Sequence, residues 1–103
     1  MRHYLVVASK TLDSPAFEDW VTRRLAEEAV HLHLVVPAAR AEGRIRWAEE
    51  EARDNARRRL QRARHRLRAL GALVGGEIGP ADPLEAVTDA LRRRPYDLAL
   101  VAA

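Results

Sequence analysis

Four short apolar runs, separated by three longer segments with helical spacing, do most to limit the fold of this chain of 103 residues. The runs are Tyr4–Ala8, Leu32–Val36, Leu73–Ile78 and Leu98–Val101. Strands that alternate with helices form β-α-β units, whose right-handed crossovers place the strands parallel in one sheet. Near-continuous apolar strands fit a sheet that is covered on both faces. The sequence therefore predicts an α/β domain with a parallel four-stranded sheet and the chain order βαβαβαβ.

Length and composition narrow the class of protein. A chain of 103 residues can bury one modest core, so we expect a single domain over residues 1–103. The absence of cysteine excludes disulfides, thiolate metal sites and a cysteine nucleophile, and it suits a reducing compartment. The first apolar run is too short for a signal peptide or a membrane span. We therefore expect a cytoplasmic protein without a membrane partner.

The first and last helices carry clear start signals. Ser14-Pro15 and Asp82-Pro83 each place a capping side chain before a proline at the first helical position, and Glu85 can complete a capping box. Pro95 closes the last helix, because the residue before proline is pushed away from helical geometry. The apolar stripes predicted to face the sheet are Phe17, Trp20, Val21 and Leu25 in the first helix, and Leu84, Val87, Ala90 and Leu91 in the last.

The middle helix, from about Arg46 to Leu70, has a narrow stripe of small residues and charge almost everywhere else. An alanine-rich stripe lets a helix lie close to a sheet, and Gly71 is placed to end the helix in a left-handed cap. We interpret the stripe as packing. Its members are Ala48, Ala52, Ala56, Leu60, Ala63, Leu67 and Leu70.

Arginines dominate the second half of that helix and have no acidic partner within it. Unpaired arginines attract phosphate, which raises the alternative of a module that binds nucleic acid or an acidic partner. Aromatic side chains that would stack on bases are few and are not interleaved with the arginines. We favour a solvated face and keep the alternative. The arginines concerned are Arg59, Arg62, Arg64, Arg66 and Arg68.

Three histidines raise the question of a metal. His31 and His33 point to the same face of their strand, and His3 begins what we expect to be the neighbouring strand. They lie at the amino ends of the strands, whereas ligands of open parallel sheets bind outside the carboxyl ends. We therefore interpret them as solvated histidines and predict no metal site.

Catalytic motifs are missing from the sequence. It contains no G-x-G-x-x-G, no P-loop and no G-x-S-x-G, and neither Ser9 nor Ser14 has a recognisable base. Gly76-Glu77-Ile78-Gly79 matches the GxxG loop of KH domains, but that loop joins two helices and this one lies in or after a strand. We read the glycines as allowing close backbone approach and a turn. The sequence therefore predicts a protein that is not an enzyme.

Several segments resemble the universal stress protein superfamily, in particular bacterial members of unassigned function. The similarity covers essentially the whole chain, and its motifs are structural more than catalytic. It rests on Tyr4-Leu-Val-Val-Ala8 with Thr11-Leu12, on Leu32-His-Leu-Val-Val-Pro37, on Trp47-Ala-Glu-Glu-Glu-Ala52 and on residues 76–90, GEIGPADPLEAVTDA.

The resemblance implies a Rossmann-like domain of three layers whose strands here take the order 3-2-1-4. It also implies a role in stress response or in sensing a small ligand or nucleotide. Some members bind ATP at the ends of the first two strands. Carried over to this sequence, the residues that would border the nucleotide are Val7, Ala8, Ser9 and Thr11 after strand one, and Val36 and Pro37 after strand two.

Two departures from the family pattern bear on ATP. Ser9 stands where the ATP-binding members usually have aspartate, and the sequence stops at Ala103, before the position of their glycine-rich phosphate loop. Without backbone amides and a helix N-terminus, phosphate loses its main anchor. We expect no bound cofactor and weak or absent ATP binding. Because strand four would lie at a sheet edge with unpaired backbone groups, we also expect a homodimer through that edge or a neighbouring helix.

Overall fold

The computed structural model describes residues 1–38 and 46–103 of the chain. Its elements are β1 (Arg2–Val7), a 3₁₀ turn (Lys10–Asp13), α1 (Pro15–Glu27), β2 (Val30–Pro37), α2 (Arg46–Leu70), β3 (Leu73–Gly79), α3 (Pro83–Arg93) and β4 (Leu98–Val101). The strands pair in parallel in the order β3-β2-β1-β4. The predicted α/β class, chain order and strand order are confirmed.

Helices cover the two faces of the sheet unequally. α1 and α2 pack on one face, where the main core is centred on fully buried side chains such as Leu12, Leu32 and Leu34. α3 alone packs on the other face, over Leu5 and Val7, and its buried cluster is smaller. The domain therefore has the three layers of a Rossmann-like fold, with the second face only partly covered.

The predicted helix starts are present. The Ser14 hydroxyl accepts a hydrogen bond from the backbone N–H of Phe17 at 3.2 Å, and the Asp82 carboxylate accepts one from Leu84 at 3.0 Å. These side chains satisfy N–H groups that have no partner inside the helix. Gly71 follows α2 with φ +110°, as expected of a glycine that ends a helix.

The stripe predicted for α3 is partly wrong. Leu84 and Leu91 are 72% and 47% exposed, whereas Ala86 and Ala90 are the residues buried against the sheet. Because Ala86 and Ala90 are small, α3 can lie close to the sheet on that side. Leu84 and Leu91 then lie on the exposed side of the helix. Leu70 at the end of α2 is also exposed, at 42%.

The stripe of α2 is otherwise confirmed where its side chains are described. Ala56, Leu60, Ala63 and Leu67 are buried, Ala52 is half-buried, and Ala48 lies outside the described side chains. No helix in the described ranges is both long and apolar enough to cross a membrane.

A glycine in β3 sets the distance between α2 and the sheet. A Cβ atom placed on Gly76 would lie 2.5 Å from Cδ1 of Leu60 and 3.0 Å from the backbone oxygen of Leu34. Leu60 is itself buried, so its side chain has little room to move away. On the other face, a Cβ on Gly75 would come no nearer than 3.5 Å, to Nδ1 of His33. The predicted close backbone approach is therefore present at Gly76.

We expect Gly76→Ala to lower the free energy of unfolding by about 1–3 kcal/mol, the usual cost of overpacking a core. Gly75→Ala is the matched control, because it adds the same methyl group one residue away in an ordinary contact, and it should change stability by less than about 1 kcal/mol. Urea denaturation followed by circular dichroism measures both variants. Equal effects of the two substitutions would contradict the close packing of α2.

Candidate ligand cleft at the carboxyl ends of β1 and β2

A polar cleft opens at the carboxyl ends of β1 and β2, against the side of α2. Its volume is about 340 Å³. Ser9 enters it after β1 and Pro37 at the end of β2, and α2 supplies the basic side chains. The lining residues are Ser9, Pro37, Ala52, Asn55, Ala56, Arg58, Arg59 and Arg62.

The cleft includes two of the six residues named from the resemblance. Ser9 and Pro37 line it. The side chains of Val7, Ala8 and Val36 are fully buried in the core clusters and do not line the cleft. Thr11 does not line the cleft, and its backbone N–H donates to the Ala103 oxygen at 2.9 Å.

Arg59 links the cleft to the end of β1. Its Nη1 donates to the Ser9 hydroxyl at 2.7 Å, and its Nε donates to the Asp13 carboxylate at 3.1 Å. Both Arg59 and Asp13 are about 70% shielded from solvent, since their side chains are 29% and 30% exposed. The guanidinium is therefore held in one orientation, with its charge partly balanced by Asp13.

Asp13 is the common partner of three arginines on α2. Besides Arg59, it lies 3.7 Å from Nη2 of Arg62 and 3.8 Å from Nη1 of Arg66, and Arg66 also pairs with Glu18 at 2.7 Å. These arginines have acidic partners outside their own helix, in the 3₁₀ turn and α1.

The two remaining arginines of the predicted binding set lie further along α2. Nη2 of Arg68 donates to the backbone oxygen of Val74 at 3.0 Å. Arg64 and Arg68 line a shallow depression of about 220 Å³ together with Gln61 and His65. That depression lies apart from the cleft.

The charge of the cleft favours an anion. Among the described residues, Arg59 and Arg62 pair with one carboxylate, that of Asp13, and Arg58 donates to the Asn55 side-chain oxygen at 3.4 Å. A guanidinium presents several N–H donors in a plane, an arrangement that fits carboxylate and phosphate groups. The cleft can therefore bind a small anionic group, and its lining offers no nucleophile paired with a base.

Two of the three histidines on β1 and β2 lie close together. His3 and His31 are register partners on β1 and β2, and their ring centroids are 5.3 Å apart. His33 lies apart from them, stacked on Tyr96 at 6.2 Å and 3.7 Å from the Glu77 carboxylate. Within residues 1–38 and 46–103, no group of three or more metal-ligating side chains is arranged around a common point.

Burial dominates the protonation of these histidines. It lowers the pKa of His31, and electrostatic interactions with His3, His33 and Arg94 lower that pKa further. Burial also lowers the pKa of His33, more than the Glu77 carboxylate raises it. Both imidazoles are therefore biased toward the neutral form at neutral pH.

A second concavity lies beside α3, over the carboxyl half of β3. Its volume is about 510 Å³, and Glu77, Gly79, Asp89, Arg92 and Arg93 contribute to its walls. Arg93 holds both carboxylate oxygens of Glu77, and these hydrogen bonds lower the Glu77 pKa. Two basic and two acidic side chains line this concavity, so it has less net charge to offer a ligand than the cleft does.

No protein-family model matches the chain, and no curated protein matches it significantly.

We expect Asp13→Asn to lower the free energy of unfolding by about 1–2 kcal/mol, since it removes the one carboxylate that faces three arginines at a partly shielded position. Asp54→Asn is the control, because the Asp54–Arg57 pair has both side chains more than half exposed and should contribute less than about 0.5 kcal/mol. Urea denaturation at low and high salt measures the effect. A loss for Asp13→Asn no larger than that for Asp54→Asn would contradict the role of Asp13.

Proposed function

We propose that this chain is a non-catalytic domain, similar to the universal stress proteins, that senses a small anionic ligand or nucleotide in the cleft at the carboxyl ends of β1 and β2. The observation that carries the proposal is the grouping of Arg58, Arg59 and Arg62 around Ser9 at that edge. The carboxyl edge is where open α/β sheets bind ligands.

The order within the cleft supports a binding role. Arg59 is fixed by Ser9 and Asp13 before any ligand arrives, so it loses little conformational freedom on binding. Arg62 is 57% exposed and comes no closer than 3.7 Å to the Asp13 carboxylate, which is too long for a hydrogen bond. Its guanidinium can therefore turn toward an anion. The cleft thus combines one fixed cation with adjustable ones.

Weak or absent ATP binding is part of the proposal. A volume of about 340 Å³ is at the lower end of the range for small-molecule sites, about 300–1,000 Å³, and it suits one phosphate group better than three. Ser9 supplies a hydroxyl at the position where the resemblance to ATP-binding proteins calls for a carboxylate that contacts ribose.

Calorimetric titration with inorganic phosphate, AMP and ATP tests the proposal. We expect phosphate or AMP to bind with a Kd between about 10 μM and 1 mM, and ATP to bind no more tightly than AMP. The double variant Arg58→Gln/Arg62→Gln should weaken that binding roughly tenfold or more, because charged hydrogen bonds to the anion are lost. Arg59 is left unchanged because it also anchors Asp13.

Arg57→Gln is the matched control, since it removes the same charge from the same helix outside the cleft. It should leave the Kd within about twofold of the wild-type value. No binding of any of these anions at millimolar concentration would refute the proposal. Binding of ATP with a low micromolar Kd would refute the proposal that ATP binding is weak or absent.

The alternative function, binding of nucleic acid or an acidic partner by α2, is favoured by the basic depression formed by Arg64, His65 and Arg68 with Gln61. It has less support, because Arg59, Arg66 and Arg68 are engaged in contacts within the chain. A gel-shift titration against an RNA and a DNA oligonucleotide distinguishes the two functions. Binding that weakens steeply with salt and is lost in Arg64→Gln/Arg68→Gln would favour the alternative.

A homodimer through β4 is the oligomeric state we propose. β4 is an edge strand, and Leu98 and Val101 are 44% and 55% exposed. Leu84 and Leu91 are seven residues apart on α3, on the side away from Asp89, which lines the concavity beside β3. Helical geometry therefore turns both leucines toward the β4 side, where they extend the apolar surface next to the unpaired edge.

Sedimentation velocity at concentrations on the order of tens of micromolar should show a dimer, and Val101→Lys should shift it toward monomer, because an edge lysine opposes strand pairing. Leu73→Lys is the control, since Leu73 is equally exposed, at 54%, on the opposite edge strand β3. A monomeric wild-type chain, or equal dissociation by both substitutions, would refute the β4 interface.

A further inference from the structure

The amino-terminal part of the sheet face under α3 is left open, and two imidazoles lie there side by side. α3 buries Ala86 and Ala90 over Leu5, Val7 and Val35, which lie further along the same face. His3 is exposed and His31 is half-buried on the part that α3 does not reach. The proposed ligand cleft does not include either ring, because it lies at the opposite, carboxyl ends of the strands.

The backbone fixes the spacing of these two rings. His3 and His31 are direct register partners on adjacent parallel strands, so their side chains leave the sheet on the same face. Their ring centroids are 5.3 Å apart and the rings are tilted by 44°, rather than stacked. A tetrahedral Zn²⁺ ion with metal–nitrogen distances of about 2.0–2.1 Å holds two imidazoles with their centroids about 5 Å apart. The pair therefore has the separation that chelation requires.

A nitrogen atom of this pair also lacks a partner. Nδ1 of His31 is buried and makes no hydrogen bond within the described residues. A neutral imidazole offers a lone pair to a metal, whereas a protonated one does not.

We propose that His3 and His31 form a two-histidine site for a divalent transition metal ion of the Cu²⁺, Ni²⁺ and Zn²⁺ group. Imidazole ligands suit these ions, and the usual affinity order places Cu²⁺ first. Two protein ligands leave the remaining coordination positions to water or to a small external ligand. His33 takes no part, because it is stacked on Tyr96 and faces Glu77.

The charged groups around the pair are of both signs. Asp97 accepts a hydrogen bond from the backbone N–H of His3 at 2.8 Å, and its other oxygen is 3.8 Å from Arg2. Arg94 acts on His31 from the end of α3. Since these charges offset one another, the affinity of the site comes from the two imidazoles themselves.

Calorimetric titration of the untagged chain at pH 7.5 with Cu²⁺ and with Zn²⁺ tests the site. One ion should bind per chain, with Cu²⁺ tighter than Zn²⁺. His3→Gln and His31→Gln should each weaken binding about tenfold or more, since chelation is lost when one ligand is removed. His65→Gln and His33→Gln are the controls. His65 is an exposed imidazole on α2, and His33 is the nearby one that the proposal leaves out.

Electron paramagnetic resonance distinguishes a Cu²⁺ complex held by both His3 and His31 from other copper complexes of this chain. The electron paramagnetic resonance spectrum of the Cu²⁺ complex should show coupling to two imidazole nitrogens in the wild type and to one in each variant. Cu²⁺ can also bind a histidine together with neighbouring backbone amides, and such a complex at His3 would survive His31→Gln. Survival of Cu²⁺ affinity in His31→Gln with a folded circular dichroism spectrum, equal loss in His65→Gln, or no binding of either ion would refute the proposal.

Discussion

The close contact between α2 and the sheet is the constraint on which the rest of the structure depends. Gly76 of β3 lies under that helix, and the buried residues of α2 include Ala56, Leu60 and Ala63, so the helix axis lies near the strands. A larger side chain at Gly76 would push α2 outward and would move every arginine on it. The position of the basic cleft is therefore set by packing, because the cleft is the gap that remains between α2 and the ends of β1 and β2.

The packing of α2 places arginines at the carboxyl ends of the strands, and Asp13 pairs with three of them. The 3₁₀ turn after β1 places one carboxylate against three guanidinium groups that would otherwise repel one another. Asp13 and Glu18 together carry two negative charges against these three guanidinium groups, so the edge remains positive while Arg59 is held in place. This arrangement differs from a solvated charged face, where each side chain moves freely, and from a nucleic-acid surface, where the arginines would be free to follow a phosphate backbone.

Sequence patterns predicted those features that depend on local or periodic signals. The four strands and the capped helix starts at Ser14 and Asp82 are confirmed because apolar runs and capping residues act over a few positions. The strand order, which the resemblance implied, is confirmed as well. The buried side of α3 was not predicted correctly, since hydrophobicity alone favours Leu84 and Leu91 over Ala86. Close approach of the helix to the sheet reverses that preference, and it depends on a contact between distant segments.

The residues of the candidate cleft also differ in whether nearby sequence or a distant contact decides their position. The resemblance to the universal stress proteins placed Ser9 and Pro37 at the carboxyl ends of the first two strands, and both line the cleft. Arg58, Arg59 and Arg62 were noticed in part, as charges without a partner on their own helix. Their partner Asp13 lies 46 residues from Arg59 in the sequence, so only the folded chain shows the pairing. A search for acidic residues in the turn after β1 would have been the one available signal.

The uneven cover of the sheet explains why two unrelated features can coexist in so small a domain. α1 and α2 close one face, and their packing leaves the basic cleft at the carboxyl edge. α3 closes only the carboxyl part of the other face, so the amino part keeps His3 and His31 near solvent. The two places share no side chain and lie at opposite ends of the strands. A substitution at either one therefore tests its own proposal without disturbing the other.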